Sequence, residues 1–145
     1  MKKKSVLRFM LVEHGNLREL LAKFRKDSDE DLKRALNSFE RFKDRHGKHV
    51  FIEEKAVFNF SSKVKKMQIL KIIIKQHREI LKFIRKIESL LDDEKDATPV
   101  TANLQEFLKA HIRLEEKKFY PVIDKELNDK EREKILKKIT RIMKR

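Results

Sequence analysis

Four of the five histidines in this chain occur in a repeated order with two glutamates. A lone histidine precedes a His-x-x-x-Glu segment, and this order occurs twice, with intervals of 35 and 34 residues between the two histidines. An imidazole and a carboxylate four residues apart lie one above the other on a helix face, so both can reach one metal ion. The pattern predicts a metal site with six candidate ligands: His14, His49, Glu53, His77, His111 and Glu115.

The positions of these six residues favour a metal over a purely structural network. Each lies in an apolar helical stripe, where burial of an unpaired carboxylate is costly. A dense hydrogen-bond network is the alternative, because a single core histidine is usually satisfied in that way. Two motifs at matched spacing make a shared cation the better explanation for the whole set.

The ligand types narrow the choice of metal. Imidazole and carboxylate without sulfur suit iron, manganese or zinc, and the chain contains no cysteine. Divided over two ions, the set gives two histidines per ion and two carboxylates that can bridge. Structural zinc closes its shell with four ligands, whereas a bridged set leaves positions open. We therefore expect two iron ions in a non-haem di-iron centre, oxo-bridged or not, with manganese and zinc as alternatives.

Four further residues are weaker candidates for the site. His46 lies one turn from His49, so it is either an outer partner of the site or a substitute ligand. Glu54 and Glu116 are rotated by about 100° from the apolar stripe and are expected to pair with lysines in solvent. Tyr120, the only tyrosine, either lines the mouth of the pocket or packs in the core, and packing is what we expect.

Composition indicates one all-helical domain over residues 1–145. Glycine and proline together number four, and 38 basic residues against 24 acidic ones give a net charge of +14. This charge fits a lysine- and glutamate-rich surface of a heat-adapted protein, or affinity for nucleic acid. A basic helical nucleic-acid-binding protein with a structural His/Glu set is therefore the alternative function. No apolar run is long enough to cross a membrane, and the location we expect is cytoplasmic.

The apolar stripes predict an up-down-up-down four-helix bundle with a short additional C-terminal helix. We expect a turn at residues 27–29 with Ser28 or Asp29 as the cap of the second helix, Thr101 as the cap of the fourth, and Pro121 as its kink or end. The last helix follows Asn128 and Asp129. The core is expected to include Leu17, Phe24, Leu32, Leu36, Phe42, Leu70, Leu81, Leu104 and Val122.

One consequence of the predicted turn does not fit the metal site. His14 would lie about 12 residues before the turn and His49 about 18 residues after it. At a rise of about 1.5 Å per residue, the two rings would differ in height by about 9 Å.

The ordered set of six residues, followed by Phe119-Tyr120-Pro121, resembles the hemerythrin-like cation-binding domain over essentially the whole chain. The resemblance implies a four-helix bundle that holds a di-iron centre with Glu53 and Glu115 as bridges. It further implies that His14 and His49 bind one iron and that His77 and His111 bind the other. A ferritin-like bundle, the nearest rival, has carboxylate before histidine at an offset of three.

The chain departs from oxygen-carrying hemerythrins, which have a further histidine at the position of Ile73 and an aspartate at that of Glu116. The four-His, two-Glu set is instead similar to that of the repair-of-iron-centres proteins, although their cysteine-containing N-terminal segment has no counterpart here. We expect a protein that binds, senses or reduces dioxygen, peroxide or nitric oxide. Carrier, sensor and enzyme are all compatible with this set, as is a monomer or a small homo-oligomer.

Overall fold

The computed structural model describes residues 5–144, and this part of the chain contains helices and no strand. Its elements are, in order, α1 (Val6–Glu30), α2 (Leu32–Ile52), the π-helical segment π1 (Glu53–Val57), α3 (Ser62–Lys65), α4 (Ile69–Asp92), α5 (Thr98–Leu114), the π-helical segment π2 (Glu115–Phe119), α6 (Tyr120–Glu126) and α7 (Asp129–Met143). None of these helices is both long enough and apolar enough to cross a membrane.

The four long helices form a bundle with two apolar cores. α1 packs against α2 and α5, and α4 packs against the same two helices. One core contains Leu17, Phe24 and Leu104. The other contains Met10 and Ile52, together with Ile135 and Ile139 of α7. Because Met10 and Leu17 lie one turn on either side of His14, the predicted metal site falls between the two cores.

The turn between α1 and α2 lies later than predicted. Ser28 and Asp29 remain in α1, and Asp31 is the N-cap of α2, since its carboxylate accepts hydrogen bonds from the Lys33 and Arg34 amides. The prediction of a turn at residues 27–29 is therefore wrong. The Ser28 hydroxyl donates to the carbonyl of Arg25, a bond that is compatible with a helix interior.

This one-residue connection removes the predicted height mismatch. His14 lies 17 residues before Asp31, and His49 lies 18 residues after it. The two rings therefore reach the same level of the bundle, since α1 and α2 rise equally from the turn. The expected difference of about 9 Å came from placing the turn too early.

Two further boundaries also differ from the prediction. Thr101 does not cap the fourth helix, because α5 already begins at Thr98, with Pro99 in its first turn. The Thr101 hydroxyl donates instead to the carbonyl of Ala97. Pro121 does not end the fourth helix either, because α5, π2 and α6 follow one another without a break and Pro121 lies in the first turn of α6. The alternative, a kink at Pro121, stays a prediction.

Four residues expected in the core are exposed, namely Leu32, Leu36, Leu81 and Val122. Ala35 and Ser38 occupy the buried face of α2 beside the two leucines, because small residues allow close approach to α1. On α4 the buried stripe passes through His77, Ile80 and Ile84 and leaves Leu81 at its edge. Hydrophobicity alone did not distinguish the centre of each stripe from its edge.

The predicted C-terminal helix is confirmed as α7. Asn128 caps it, with the Glu131 amide donating to the Asn128 side chain and the Asn128 amide donating to Glu131. Ile135 and Ile139 are fully buried and pack in the same core as π1. α7 therefore covers the end of the bundle beside Glu53.

Candidate metal centre

The four long helices bring all six predicted residues together, and every one of them is buried. His14 lies on α1, His77 lies on α4, and each His-x-x-x-Glu motif crosses from an α-helix into a π-helical segment. The ring centroids of His14 and His49 are 5.1 Å apart, and those of His77 and His111 are 5.0 Å apart.

The ligand atoms fall into two overlapping groups of four, within each of which they lie no more than 4.8 Å from one another. We call these groups the His14/His49 half and the His77/His111 half. Glu53 and Glu115 belong to both halves. The arrangement therefore provides two adjacent positions for a metal ion, with both carboxylates between them.

Glu115 reaches both halves with one oxygen each. Its Oε1 lies 3.0 Å from Nε2 of His14, and its Oε2 lies 3.3 Å from Nε2 of His111. The two oxygens of Glu115 therefore face different halves of the centre.

Glu53 reaches both halves with a single oxygen. Its Oε1 lies 3.3 Å from Nε2 of His49 and 3.0 Å from Nε2 of His77. The other oxygen accepts a hydrogen bond of 2.5 Å from the fully buried Tyr120 hydroxyl. The expectation that Tyr120 only packs is wrong, because its hydroxyl holds one oxygen of a shared carboxylate.

Unpaired atoms at the centre show that this donor set fits a cation. Nε2 of His14, Nε2 of His49 and both oxygens of Glu115 are buried, and they have no hydrogen-bond partner among the described residues. Such atoms are rare in folded proteins. Nε2 of His14 and Oε1 of Glu115 lie 3.0 Å apart without a hydrogen bond. Such a distance is expected where the lone pairs of both atoms face a common point. Imidazole and carboxylate at that point suit iron, manganese or zinc.

A family model described as the hemerythrin HHE cation binding domain matches residues 5–123. The chain belongs to this family. The match covers α1 through most of α6 and includes all six predicted ligands, so it confirms the resemblance seen in the sequence. α7 lies beyond the matched residues of this HHE domain. No curated protein and no solved structure matches the chain.

Two carboxylates outside the set of six residues, which we call outer carboxylates, orient the two lone histidines of the HHE domain. Nδ1 of His14 lies 2.8 Å from Oε2 of Glu116, and Nδ1 of His77 lies 3.2 Å from Oε2 of Glu54. A proton held on Nδ1 leaves Nε2 free to face the shared carboxylates. The expectation that Glu54 and Glu116 pair with lysines in solvent is therefore wrong.

The motif histidines have outer partners that the sequence reasoning did not identify. Nδ1 of His111 lies 2.7 Å from Oε1 of Gln76, and Nδ1 of His49 lies 3.8 Å from Oε1 of the buried Glu13. Arg45 lies 2.5 Å from the other oxygen of Glu13 and compensates its charge.

The outer partners follow the same repeat as the ligands. Glu13 and Gln76 each directly precede a lone histidine, and Glu54 and Glu116 each directly follow a shared glutamate. Polar residues beside both copies of the motif were thus a signal in the sequence for all four outer partners.

Each shared glutamate is the first residue of a π-helical segment. The amide of Phe58 donates to the carbonyl of Glu53, and the amide of Tyr120 donates to that of Glu115, both across five residues. π-helical turns are rare in proteins, but those that occur often lie at functional sites. Their presence in both motifs shows that the repeat extends to the backbone.

His46 lies outside both groups of four donors. Its ring stacks on Phe42, with centroids 5.8 Å apart, and is buried. Burial, together with the charge of His49, lowers the pKa of His46 to about 3. His46 is therefore a neutral ring beside the site.

Without metal, protons balance the charges at the centre. Burial opposes a charged imidazole, yet the carboxylates of Glu53 and Glu13 raise the pKa of His49 to about 10. His77, which faces Glu115 and Glu53, likewise has its pKa raised to about 10 against the effect of burial. Burial also opposes ionisation of Glu115, but the imidazoles around it hold its pKa well below the usual range.

Proposed function

We propose that the chain is a non-haem di-iron protein that binds, senses or reduces a small oxidant such as dioxygen, peroxide or nitric oxide. The observation that carries this proposal is the pair of four-donor groups that share Glu53 and Glu115. Membership of the HHE family supports a bound cation. The proposal includes a single domain with its four long helices in up-down-up-down order, which the one-residue turn at Asp31 supports.

Each half would hold one iron, with both shared glutamates as bridges. The proposed ligands are His14 and His49 for one ion, His77 and His111 for the other, and Glu53 and Glu115 for both. When bound, iron supplies the redox chemistry and the affinity for small oxidants that side chains lack. Four protein donors per ion leave positions open for such a molecule.

The chain itself would set the direction of each ring and keep water out. Carboxylates at Nδ1 of His14 and His77 fix a proton on that nitrogen, so that Nε2 faces the centre. All six proposed ligands are buried between the two apolar cores, so few water molecules compete for the open positions. The bundle thus provides a pre-oriented set of ligands in a dry interior.

Metal analysis tests the proposal most simply. Protein produced with iron is expected to contain two irons per chain, one for each group of donors. Near-ultraviolet charge-transfer absorption should change on exposure to dioxygen, peroxide or nitric oxide. Folded wild-type protein that remains colourless and metal-free under these conditions would contradict the proposal.

Two histidines on α2 provide a matched pair of variants. His49 and His46 are both buried and lie about one turn apart, but only His49 belongs to a donor group. We expect His49→Gln to lose iron and its absorption, whereas His46→Gln keeps both. Equal iron content in the two variants would show that His49 is not a ligand.

A further inference from the structure

A surface cleft of about 380 Å³ lies between α2 and α4, and His77 is one of its lining residues. The two helices touch only sparsely along this side of the bundle. The lining residues are His46, Gly47, Val50 and Glu54 on one side and Ile74, His77, Arg78 and Leu81 on the other. This cleft includes no other member of the six-residue centre.

The two histidines are the least exposed residues of the lining and form what we call its inner end. Only 4% of the His77 side chain is accessible to solvent, and His46 is 5% exposed. Leu81 and Gly47 are exposed and form what we call the mouth. The small accessible part of the His77 ring favours a molecule of a few atoms over a larger metabolite.

The chemistry of the walls favours an uncharged molecule. Val50, Ile74 and Leu81 present apolar groups, and they have no strong donors that would compensate a lost hydration shell. The carboxylate of Glu54 lies directly beside His77 and would repel an anion at the inner end. Arg78 adds a positive charge to the lining, but the charged lining residue that pairs with His77 is Glu54.

We infer that this cleft is the access route by which an uncharged diatomic oxidant reaches the metal centre, and that the molecule binds at the His77/His111 half. The inference rests on the proposed function and deepens it, since it assigns a route and one of the two halves. Ile73, fully buried one turn before His77, offers no donor atom to this half. The molecule can therefore take a position that no side chain on that turn occupies.

Gly47 keeps the cleft open and allows a direct test. A Cβ atom built at Gly47 has no neighbouring atom within 4 Å, so a larger side chain can enter the cleft without a backbone clash. Gly15, next to His14 on α1, has the same free space but does not line the cleft. Gly15→Phe is therefore a matched control for Gly47→Phe.

The first measurement is the association rate of nitric oxide with the reduced, iron-loaded protein, followed by stopped-flow absorbance. Gly47→Phe is expected to slow association by about tenfold or more, because entry then requires the ring to move aside. Gly15→Phe should associate as fast as wild type, and iron content should be unchanged in both. Equal rates in wild type and Gly47→Phe, or equal slowing in both variants, would overturn the inference.

A second pair of variants decides the question if either phenylalanine variant fails to fold. Leu81→Ala widens the mouth and is expected to speed association by about twofold or more, since it removes part of the barrier to entry. Ile72 lies on the same helix, is also exposed and is not part of the cleft, so Ile72→Ala should leave the rate unchanged. Equal rates in Leu81→Ala and Ile72→Ala would also overturn the inference.

A third measurement does not depend on reactivity. Crystals of the iron-loaded protein under xenon pressure should show a xenon atom between Val50 and Leu81, because xenon enters apolar spaces that small uncharged gases use. Gly47→Phe should lose that peak and Gly15→Phe should keep it. Xenon found only beside His14 would contradict the route, whereas loss of iron from wild type would contradict the proposed function instead.

Discussion

The His14/His49 half and the His77/His111 half contain the same donors but have different surroundings. Each has two histidines from neighbouring helices and shares both glutamates with the other. The cleft between α2 and α4 reaches His77, however, and includes neither His14 nor His49. The sequence repeat therefore gives both halves the same kinds of donors, whereas this cleft borders only the His77/His111 half.

The residues that face Nδ1 of the four histidines also differ between the two halves. Glu116, the partner of His14, has a side chain that is 19% exposed, whereas Glu54, the partner of His77, is 44% exposed. Gln76 is a neutral partner of His111, while Glu13 beside His49 is charged and paired with Arg45. The outer partner of His14 is thus more enclosed than that of His77, and the extra carboxylate beside His49 is compensated by Arg45.

The largest effect is expected from a change that affects both halves together. Glu115→Gln removes the carboxylate charge that faces His14 and His111. Both iron positions should be lost, and the protein should be destabilised by about 3 kcal/mol, because buried charges are left unpaired. Iron analysis and urea unfolding measure the two effects.

Glu116→Gln is the control for this change, because Glu116 is the adjacent residue and contacts only His14 among the six proposed ligands. It should retain iron in both positions under saturating metal. Retention of both irons by Glu115→Gln would show that the two halves do not depend on a common carboxylate.

A pH titration compares the halves through one histidine in each. The pKa values of His49 and His77 are raised to about 10 in the metal-free fold. Such groups stabilise the fold fully below their unfolded pKa of about 6.5, and this stabilisation disappears as the pH rises through about 10. Metal-free protein should therefore lose stability between these values, and iron affinity should increase over the same range, since metal and protons compete.

Urea unfolding at several pH values, with and without metal, measures this dependence. His49→Gln should weaken it, and His46→Gln should not, because His46 is already neutral. A metal-free stability that is constant from pH 6.5 to 10 would contradict the assigned charges.

A smaller effect is expected from the Tyr120 hydroxyl, which donates a hydrogen bond to Glu53 and not to Glu115. Tyr120→Phe removes the hydrogen bond to Glu53 and keeps the aromatic ring in the core. We expect a loss of about 2 kcal/mol in metal-free stability, because the bond is to a charged group. A change below about 0.5 kcal/mol in urea unfolding would show that the hydroxyl does not hold Glu53.

The outer carboxylates test the difference in enclosure through metal affinity rather than through the stability of the fold. Glu116→Gln and Glu54→Gln each weaken the partner of a lone histidine, a change that typically costs about 10- to 100-fold in metal affinity. The loss should be larger for Glu116, which is less exposed and lies closer to its histidine. Competition with a chelator measures both affinities, and a larger loss for Glu54→Gln would reverse the comparison.

The sequence was sufficient to predict which six side chains come together, because the spacing within each motif is local. A four-residue offset on one helix places His49 near Glu53 and His111 near Glu115 whatever the rest of the chain does. The apolar periodicity around them predicted the long helices and α7. The match to the HHE family and the gathering of the six side chains agree with that reading.

The features that were missed depend on contacts between helices or on single residues. Tyr120 reaches Glu53 across the bundle, and this contact has no sequence period. The turn position was decided by one cap, Asp31, which the sequence reasoning did not consider beside Ser28 and Asp29. The π-helical segments have no pattern of side chains that distinguishes them from ordinary helix.

Anomalous scattering from a crystal of the iron-loaded protein, recorded at the iron absorption edge, tests the central claim most directly. We predict two peaks, one between His14 and His49 and one between His77 and His111, each within ligand distance of Glu53 and Glu115. A single peak, or peaks away from the shared glutamates, would contradict the account.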